Sequence, residues 1–400
     1  MNFFKKNQKF FKVLFSKAGV ALFTVSLLLI FTLALNITSC KASATSKSTK
    51  TEESIKESTT QTSGQEKQAE ETTAQKTQET NINEITGNIN ILTGFELSEK
   101  VENNRPMAIM IENTPNARPQ SGLISADVVF EVVDEGGITR FVSIFSSHKP
   151  NLVGPIRSAR PYYAEIAAGF DPIYVFWGTH PSFYIVIQNL GLDYLSPLGD
   201  TSGASSITGN FVDPGSGEGK DAIRDTSRVA PHNAYVRVPR MYEIAQNLGY
   251  PIEGGQSPFH FKNEASEGNR GDISNITVDI SSASYKVNFQ YDKQTNTYLR
   301  FCGGAPSMDR ETGKQITVNN VIVLFTDIRN SGNKEGHMIV RTTQGGDALY
   351  FMDGKVIEGT WNRTSALEPF EFKDKTGNTV LTNIGQTWVI MTENIGKVDY

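Results

Sequence analysis

Residues 126–145 read ADVVFEVVDEGGITRFVSIF, and this stretch decides what kind of fold the chain forms. Two runs rich in Val, Ile and Phe, residues 127–133 and 140–145, flank the pair Gly136-Gly137. Apolar and β-branched residues bounded by glycines are typical of strands joined by a turn. The stretch therefore predicts one strand on each side of the Gly136-Gly137 turn.

Outward from this stretch, short apolar runs alternate with helix signals. Met107–Ile111 and Pro172–Trp177 read as further buried strands. Three helices are predicted because a proline suits the first turn of a helix and a glycine suits the position past its end. They begin at Pro161, Pro181 and Pro239 and end at Gly169, Gly191 and Gly249. Strands that alternate with helices predict a mixed α/β layer in this part of the chain.

The last third of the chain has a different pattern, with alternating apolar and polar residues and little helix. Hairpin signals stand at Asp353-Gly354 and at Thr376-Gly377-Asn378. Strands are predicted at residues 276–280, 285–291, 297–301, 321–325, 338–341, 348–352, 356–361 and 387–391. The sequence thus predicts an α+β fold, in which a mixed α/β domain of residues 91–255 precedes a β-rich domain of residues 270–400.

The N-terminus has the layout of a secretory signal. Five lysines precede an apolar run, Val20–Leu35, and the sequence Ile37-Thr38-Ser39-Cys40 follows it. This ending resembles the lipobox of bacterial lipoproteins, in which the cysteine thiol takes a diacylglycerol. We predict a signal peptide in residues 1–39 and a lipid anchor on Cys40, which places the protein on the extracytoplasmic face of the cell membrane. The alternative is an uncleaved membrane anchor, because the apolar run approaches the roughly 20 residues that span a bilayer; it leads to the same face.

The segment after the signal does not read as globular. Residues 40–90 consist mainly of Ser, Thr, Lys, Glu, Gln and Ala, with no aromatic residue before Phe95. Such a composition buries too little apolar area to offset the entropy of ordering, so a disordered stalk is predicted. The full-chain formal charge is −5, to which residues 1–39 contribute +5, and the remainder therefore carries −10. An acidic body argues against nucleic acid as a partner, because phosphate recognition needs basic surface.

Cysteines and histidines are not spaced for a metal or cofactor site. If Cys40 is lipidated, Cys302 has no partner, and a solitary cysteine in a β-rich segment is more often a small buried hydrophobe than a nucleophile. The five histidines form no i, i+4 pair and have no cysteine at zinc spacing. No metal and no cofactor is therefore predicted.

Several separate motifs between residues 92 and 392 resemble the YerB-like lipoproteins. These motifs are Arg105–Asn113, Ala117–Leu123, Ala126–Glu131, Glu135–Phe141, Gly154–Pro161, Pro231–Asn233, Gly359–Trp361 and Asn383–Trp388. The resemblance implies a two-domain envelope lipoprotein of Gram-positive bacteria. It implies no particular activity, and it suggests penicillin-binding proteins and wall synthesis as partners.

The densest set of polar residues that could form a site runs from residue 157 to residue 233. Two arginines stand three apart before the helix predicted at Pro161, and a helix N-terminus beside two guanidinium groups favours an anion. We predict as ligand-binding residues Arg157, Ser158, Arg160, His180, Arg228, His232 and Asn233, and as catalytic candidates His180, His232 and Asp225. The alternative is that both arginines pair internally with acids such as Asp127, Glu131 or Glu135, and that each histidine has a structural role.

Two functions of different class fit these features. The first is a non-catalytic envelope factor that binds a penicillin-binding protein or an anionic wall polymer, and the lack of a recognised catalytic set favours it. The second is an enzyme that acts on an anionic glycan or a phosphate-bearing wall polymer through an Arg/His/Asp cleft. A third, a sensory lipoprotein that binds a small anion, is not separated from the first by the sequence.

Overall fold

The computed structural model describes residues 84–97, 103–216 and 221–400. All of these residues lie in one compact unit, Gln78–Tyr400. The predicted signal peptide of residues 1–39, the predicted lipidation site Cys40 and the predicted stalk up to residue 83 lie outside the described residues. Among the helices that are described, none has the length and apolar character to cross a membrane.

The N-terminal part of the described chain mixes helices with strands. Its three helices are α1 (Pro161–Ala168), α2 (Pro181–Asn189) and α3 (Val238–Asn247). Its strands are β1 (Glu84–Ile85), β2 (Met107–Glu112), β3 (Val128–Val133), β4 (Thr139–Phe145), β5 (Ile173–Val175), β6 (Asp193–Leu195), β7 (Ala222–Arg224), β8 (Ala234–Val236) and β9 (His260–Lys262).

The C-terminal part contains strands and short 3-10 turns. Its strands are β10 (Asn275–Asp279), β11 (Lys286–Asp292), β12 (Thr297–Cys302), β13 (Ala305–Pro306), β14 (Thr317–Val318), β15 (Asn320–Phe325), β16 (Ile328–Asn330), β17 (Met338–Val340), β18 (Gly346–Met352), β19 (Lys355–Asn362), β20 (Glu371–Asp374), β21 (Leu381–Asn383), β22 (Thr387–Thr392) and β23 (Val398–Asp399). The predicted α+β fold with a β-rich C-terminal part is confirmed.

One ten-stranded sheet runs through both parts of the chain. Its strand order is β20-β19-β18-β15-β22-β3-β4-β2-β5-β6, so that the first five strands come from the C-terminal part and the last five from the N-terminal part. The two halves join where β22 pairs in parallel with β3, with Thr387 opposite Val128. The smaller sheets are a six-stranded one, β13-β12-β11-β10-β23 with β14 beside β12, a three-stranded one, β1-β9-β21, and the pairs β7-β8 and β16-β17.

The central strands of the ten-stranded sheet are buried on both faces. Every residue of β2 and β3 is buried, which explains why these strands read as continuous apolar runs rather than as alternating ones. On one face Met110 and Phe130 pack with residues of α1 and α2. On the other face Ile109 and Val129 pack with residues of α3 and of the six-stranded sheet. The sheet is therefore the middle layer of three.

Helix starts agree with the proline signals. α1 begins at Pro161 and α2 at Pro181, while α3 begins one residue before Pro239. Each helix has this proline in its first two positions, where the missing N–H is not needed for an intrahelical bond. Gly169 is the C-cap of α1, as predicted.

Order begins earlier than the predicted end of the stalk at residue 90. β1 pairs antiparallel with β9, with Glu84 opposite Lys262, and the side chain of Asn90 is buried. β9 itself lies between the two predicted domains, in residues 256–269. The composition of residues 84–90 gave no sign of this, because the segment is ordered by strand pairing with a distant part of the chain rather than by an apolar pattern of its own.

Candidate functional site

Polar side chains gather where several parallel strands of the ten-stranded sheet end. β2 and β5 are parallel, and β2 and β3 are each antiparallel to β4, so all three point the same way. The segments that leave these strands begin with Asn113, Asp134 and Phe176. Because ligands of α/β sheets commonly bind at the carboxyl edge, this is the edge at which a site is expected.

Glu112, the last residue of β2, is the centre of the first polar cluster. Its side chain is only 1% exposed, and one oxygen, Oε1, accepts a hydrogen bond from Thr114 Oγ1 at 2.8 Å. His232 Nδ1 lies 2.8 Å from the same oxygen and Arg157 Nε 3.3 Å from it. The other oxygen, Oε2, has no hydrogen-bond partner among the described residues. Two predicted ligand-binding residues thus converge on a buried carboxylate that the sequence analysis did not single out.

The Glu112–His232 pair has a geometry that orients an imidazole. A carboxylate can only accept, so the ring nitrogen Nδ1 of His232 carries the proton and donates it to Glu112. In the neutral ring the remaining nitrogen, Nε2, is then an acceptor, and the side chain is about one-fifth exposed. A histidine fixed in this way by a buried carboxylate can take up a proton from a molecule bound at the surface.

Asp134 and Glu135 form the centre of a second cluster. Arg160 donates from Nε and Nη2 to the two oxygens of Glu135, at 2.6 and 2.7 Å, and Arg140 pairs with Asp134 at 2.6 Å. Burial raises the pKa of Asp134 despite its two arginine neighbours. Burial would also raise the pKa of Glu135, but the hydrogen bonds from Arg160 outweigh it and hold that pKa well below its usual range. The guanidinium group of Arg160 is therefore already committed to a carboxylate.

His180 belongs to the same second cluster. Its Nδ1 accepts from the backbone N–H of Ser182 at 3.3 Å and so caps α2. Its ring lies 5.1 Å from the ring of His337, whose Nε2 is 4.0 Å from Glu135. Burial lowers the pKa of His337. The proximity of two histidines 157 positions apart in the sequence has no local signal.

Arg157 and Ser158 lie between the two clusters. Burial lowers the pKa of Arg157, and the nearby positive charges of Arg140 and Arg160 lower it further. The negative charge of Glu112 acts in the opposite direction. Ser158 donates from its hydroxyl to the carbonyl of Trp177 at 3.2 Å, and its own carbonyl accepts from Arg140 at 2.7 Å. The clusters are therefore neighbours along one edge, and Ser158 holds the chain between them.

Asp225, Arg228 and Asn233 hold a loop rather than a ligand. Arg228 donates to the carbonyls of Ala117 and Pro119, both at 2.7 Å. Asn233 donates to the carbonyls of Asp225 and Arg228 at 3.3 and 3.4 Å. These bonds close residues 225–233, here called the Val229 loop, and tie it to the segment that follows β2.

Asp225 is itself fixed by the residues around it. It accepts from the hydroxyl and the backbone N–H of Ser227 and from Arg310, and these bonds lower its pKa to about 2. Within this hydrogen-bonded loop the side chain of Val229 is 81% exposed, more than any other large apolar side chain of the described residues. The structure thus presents an apolar side chain on a rigid loop next to His232.

The predicted site residues fall into three groups. Arg157 and His232 meet at Glu112, and Arg160 and His180 meet near Glu135. Asp225, Arg228 and Asn233 make the Val229 loop. Arg160 pairs internally with Glu135, as the alternative interpretation of the sequence predicted. Arg157 also pairs internally, but with Glu112, an acid that the sequence analysis did not name. The sequence signal that could have found Glu112 is an acidic residue directly after the apolar run Met107–Ile111.

Carboxylates elsewhere on this side of the molecule are also paired. Asp213 pairs with Arg224 at 2.7 Å, and Asp221 pairs with Arg240 at 2.7 Å. In the described part of the chain, no three His, Cys, Asp or Glu side chains are grouped as metal ligands.

Comparisons with known proteins identify relatives over most of the chain. The family model described as "Protein of unknown function (DUF3048) N-terminal domain" matches residues 92–251, and that described as "Protein of unknown function (DUF3048) C-terminal domain" matches residues 276–389. The protein "Putative lipoprotein YerB" of Bacillus subtilis (strain 168) is 31% identical over 300 residues, which are 74% of this chain and 84% of that protein. The crystal structure of YerB protein from Bacillus subtilis matches with a TM-score of 0.66 at 29% identity, over 78% of this chain and 98% of that one. The resemblance predicted from the motifs is confirmed.

Proposed function

This chain belongs to the DUF3048 family, together with YerB of Bacillus subtilis, and from that membership we propose that it is a membrane-anchored lipoprotein whose body binds a protein of the cell envelope. The name of the relative supports the lipid anchor, for which Cys40 is the site we propose. The polar edge of the sheet and the Val229 loop support a binding role. The family's description supplies no activity, so the argument rests on these residues.

The state of Arg160 and Arg228 argues against an anionic polymer as the ligand of these two groups, whereas Arg157, whose Nε lies 3.3 Å from Glu112 without a hydrogen bond, is not committed in the same way. A phosphate or carboxylate ligand needs guanidinium groups with free donors. Arg160 donates to both oxygens of Glu135, and Arg228 donates to two backbone carbonyls. Releasing either group for a ligand would leave a carboxylate or carbonyl groups without partners, at a cost of about 1–3 kcal/mol for each buried group. The net charge of −10 outside residues 1–39 is also unfavourable for an anionic polymer.

The exposure of Val229 on a hydrogen-bonded loop is the observation that carries the proposal. Residues that contact a partner contribute most to binding when little conformational entropy is lost on association. The bonds of Arg228 and Asn233 restrict the Val229 loop before any partner arrives. The neighbouring Ala230 and Pro231 are also exposed, which extends the apolar surface. A rigid apolar projection suits a groove on another protein better than it suits a sugar polymer.

The family resemblance directs the choice of partner to wall synthesis. A lipid anchor would hold the body near the outer face of the membrane, where penicillin-binding proteins also reside. We therefore take a penicillin-binding protein as the partner to be tested. The partner's contact surface is expected to be apolar at its centre, to receive Val229.

Photo-crosslinking in living cells tests this proposal. A photoreactive amino acid is placed at position 229, and, as a matched control, at position 395, because Ile395 is also an exposed aliphatic residue, at 55%. The expected result is a crosslinked penicillin-binding protein from position 229 and none from position 395. Equal products from both positions, or glycan alone from position 229, would contradict the proposal.

The lipid anchor has its own test. Cells are fed an alkyne-tagged fatty acid, and the protein is isolated and examined for the tag. Cys40→Ala is expected to abolish labelling, whereas Cys302→Ala, which removes the other cysteine of the chain, should leave it intact. Labelling that survives Cys40→Ala would show that the lipid is attached elsewhere.

The Glu112–His232 pair favours a second candidate function, an enzyme that uses His232 as a general base. The two candidates differ in which residue the cell needs. Complementation of a deletion strain by His232→Gln but not by Val229→Asp supports the binding factor. The opposite pattern supports the enzyme.

A further inference from the structure

A cavity of about 270 Å³, here called the Arg300 pocket, opens between the N-terminal and C-terminal parts of the described chain. Asn113, Arg118 and Gln120 line one side, and Arg300, Cys302 and Ser307 line the other. Its volume is just below the roughly 300–1,000 Å³ of typical ligand sites, so it suits a small molecule or one end of a longer one.

Arg300 offers the pocket a buried donor. Its side chain is 2% exposed, and its two amino groups donate to Glu131 at 2.6 Å and to Ser307 at 2.5 Å. Its Nε has no hydrogen-bond partner among the described residues, and the Cys302 thiol also interacts with the guanidinium. Arg300 and Cys302 project from the same face of β12, because they are two residues apart, and both line the pocket. A buried N–H without a partner is costly, and a ligand oxygen would remove that cost.

Arg118 offers the pocket an uncompensated positive charge. Its Nε and Nη2 donate to the side chain and the carbonyl of Asn113 at 3.0 and 2.9 Å, and its guanidinium lies 5.2 Å from the centre of the Tyr285 ring. No ion pair joins it to a carboxylate of the described residues, whereas the charge of Arg300 is neutralised by Glu131. Its Nη1 lies against Gly303, where the absence of a side chain leaves room in front of the guanidinium.

The remaining lining is small and mostly apolar. Pro119, Ala305, Pro306 and Met308 complete the wall. One uncompensated cation, one free N–H and an apolar wall together match a single carboxylate on a small apolar body. A dianionic phosphate would leave one charge without a counter-charge. We infer that the Arg300 pocket binds the carboxylate of a small ligand, either the free C-terminus of a peptide or a free short-chain acid. This inference does not depend on the Val229 loop.

Calorimetric titration of the purified full chain tests the inference with three probes. They are N-acetyl-alanyl-alanine, its C-terminal amide and acetate. The free dipeptide acid is expected to bind, and the amide is expected not to, because it lacks the charge that Arg118 recognises. If acetate binds as tightly as the dipeptide acid, the natural ligand is a short-chain acid. If acetate binds much more weakly, the ligand is the C-terminus of a peptide. Both results support a carboxylate ligand.

Two variants and one control make the test specific. Arg118→Gln removes the charge, and Ala305→Trp adds a bulky side chain at an exposed position of the pocket lining while both arginines are kept. Each is expected to weaken binding of the dipeptide acid by about tenfold or more, as for the loss of one charged hydrogen bond. Arg240→Gln, at an exposed arginine outside the pocket, should leave the affinity unchanged. Equal affinity for acid and amide, no binding of any probe, or unchanged affinity in both pocket variants would overturn the inference.

Discussion

Arg300 of β12 pairs with Glu131 of β3 at 2.6 Å, and both side chains are almost completely buried. The pair joins the C-terminal part of the chain to the N-terminal part, across 169 positions of sequence. Glu131 also accepts hydrogen bonds from Asn113, Thr139 and Trp388, so the carboxylate is surrounded by donors. A charge removed from water to this extent is tolerated only with such compensation.

Breaking this pair should destabilise the protein strongly. Glu131→Leu leaves the guanidinium of Arg300 buried without a counter-charge, and we expect the free energy of unfolding to fall by about 3–5 kcal/mol. The exposed pair of Glu358 and Lys375 is the control, and Glu358→Leu should cost about 0–1 kcal/mol. Chemical denaturation measures both. A cost for Glu131→Leu no larger than that of the control would contradict the role assigned to the pair.

Arg160 should behave as a structural residue. Arg160→Met removes two charge-assisted hydrogen bonds to Glu135, and we expect a loss of about 1.5–3 kcal/mol in the free energy of unfolding. Crosslinking from position 229 should be unchanged in this variant below its melting temperature. Lys375→Met, which breaks the exposed pair with Glu358, serves as the control for stability. Arg160→Met that keeps full stability but abolishes crosslinking would assign this arginine to the partner instead.

Glu112 should control the tautomer of His232. Nitrogen NMR of the imidazole is expected to show the proton on Nδ1, because the carboxylate accepts from that atom. In Glu112→Leu this preference for Nδ1 should disappear. The free energy of unfolding should also fall by about 1.5–3 kcal/mol, because Arg157 loses its paired carboxylate. Thr114→Val, which removes one hydroxyl hydrogen bond to the same carboxylate, should keep the tautomer and cost less stability than Glu112→Leu. A neutral imidazole protonated on Nε2 and not on Nδ1 in the unmodified protein would contradict the geometry.

The Val229 loop should loosen in acid. Hydrogen bonds from Ser227 and Arg310 hold the pKa of Asp225 at about 2, below the ordinary 3.8. Because the pKa is lowered in the folded protein, the ionised Asp225 stabilises the loop fully above pH 3.8. This stabilisation is lost as the pH falls towards about 2. Amide chemical shifts of residues 226–232 are therefore expected to change between about pH 4 and pH 2.

Asp225→Asn supplies the control for that titration. The variant should remove the pH dependence of these shifts, since the titrating group is gone. Asp272→Asn, at an exposed aspartate paired with Lys293, should leave the dependence as it is. Shifts that move in the same way in Asp225→Asn would assign the transition to another group.

Local chemistry explains which parts of the fold could be predicted. The prolines at 161 and 181 mark the starts of α1 and α2, because proline restricts φ at the residue itself. The stretch 126–145 became β3 and β4 around the Gly136-Gly137 turn. Short strands such as β7, β9 and β21, each of three residues, were not predicted. Their existence depends on pairing with distant strands rather than on a pattern of their own.

The candidate site was predictable only in part, for a related reason. Arg157 and His180 were found because they lie near a strand end or a helix start, and His232 because it lies in a polar stretch with Asp225, Arg228 and Asn233. Glu112 and His337, the residues they contact, could not be paired with them from the sequence, since the contacts join positions 120 and 157 apart. The Arg300 pocket had no signal, because its two arginines come from opposite parts of the chain.

The junction between β22 and β3 has a consequence for the order in which the chain can fold. β22 consists of residues 387–392, near the end of the chain, yet it lies between β15 and β3 in the middle of the ten-stranded sheet. Until those last residues are available, β3 has an open, apolar edge that can pair with any other extended chain. Nearly the whole polypeptide must therefore be present before either half reaches its final neighbours. A product cut short before residue 387 is expected to aggregate rather than to persist as a functional half.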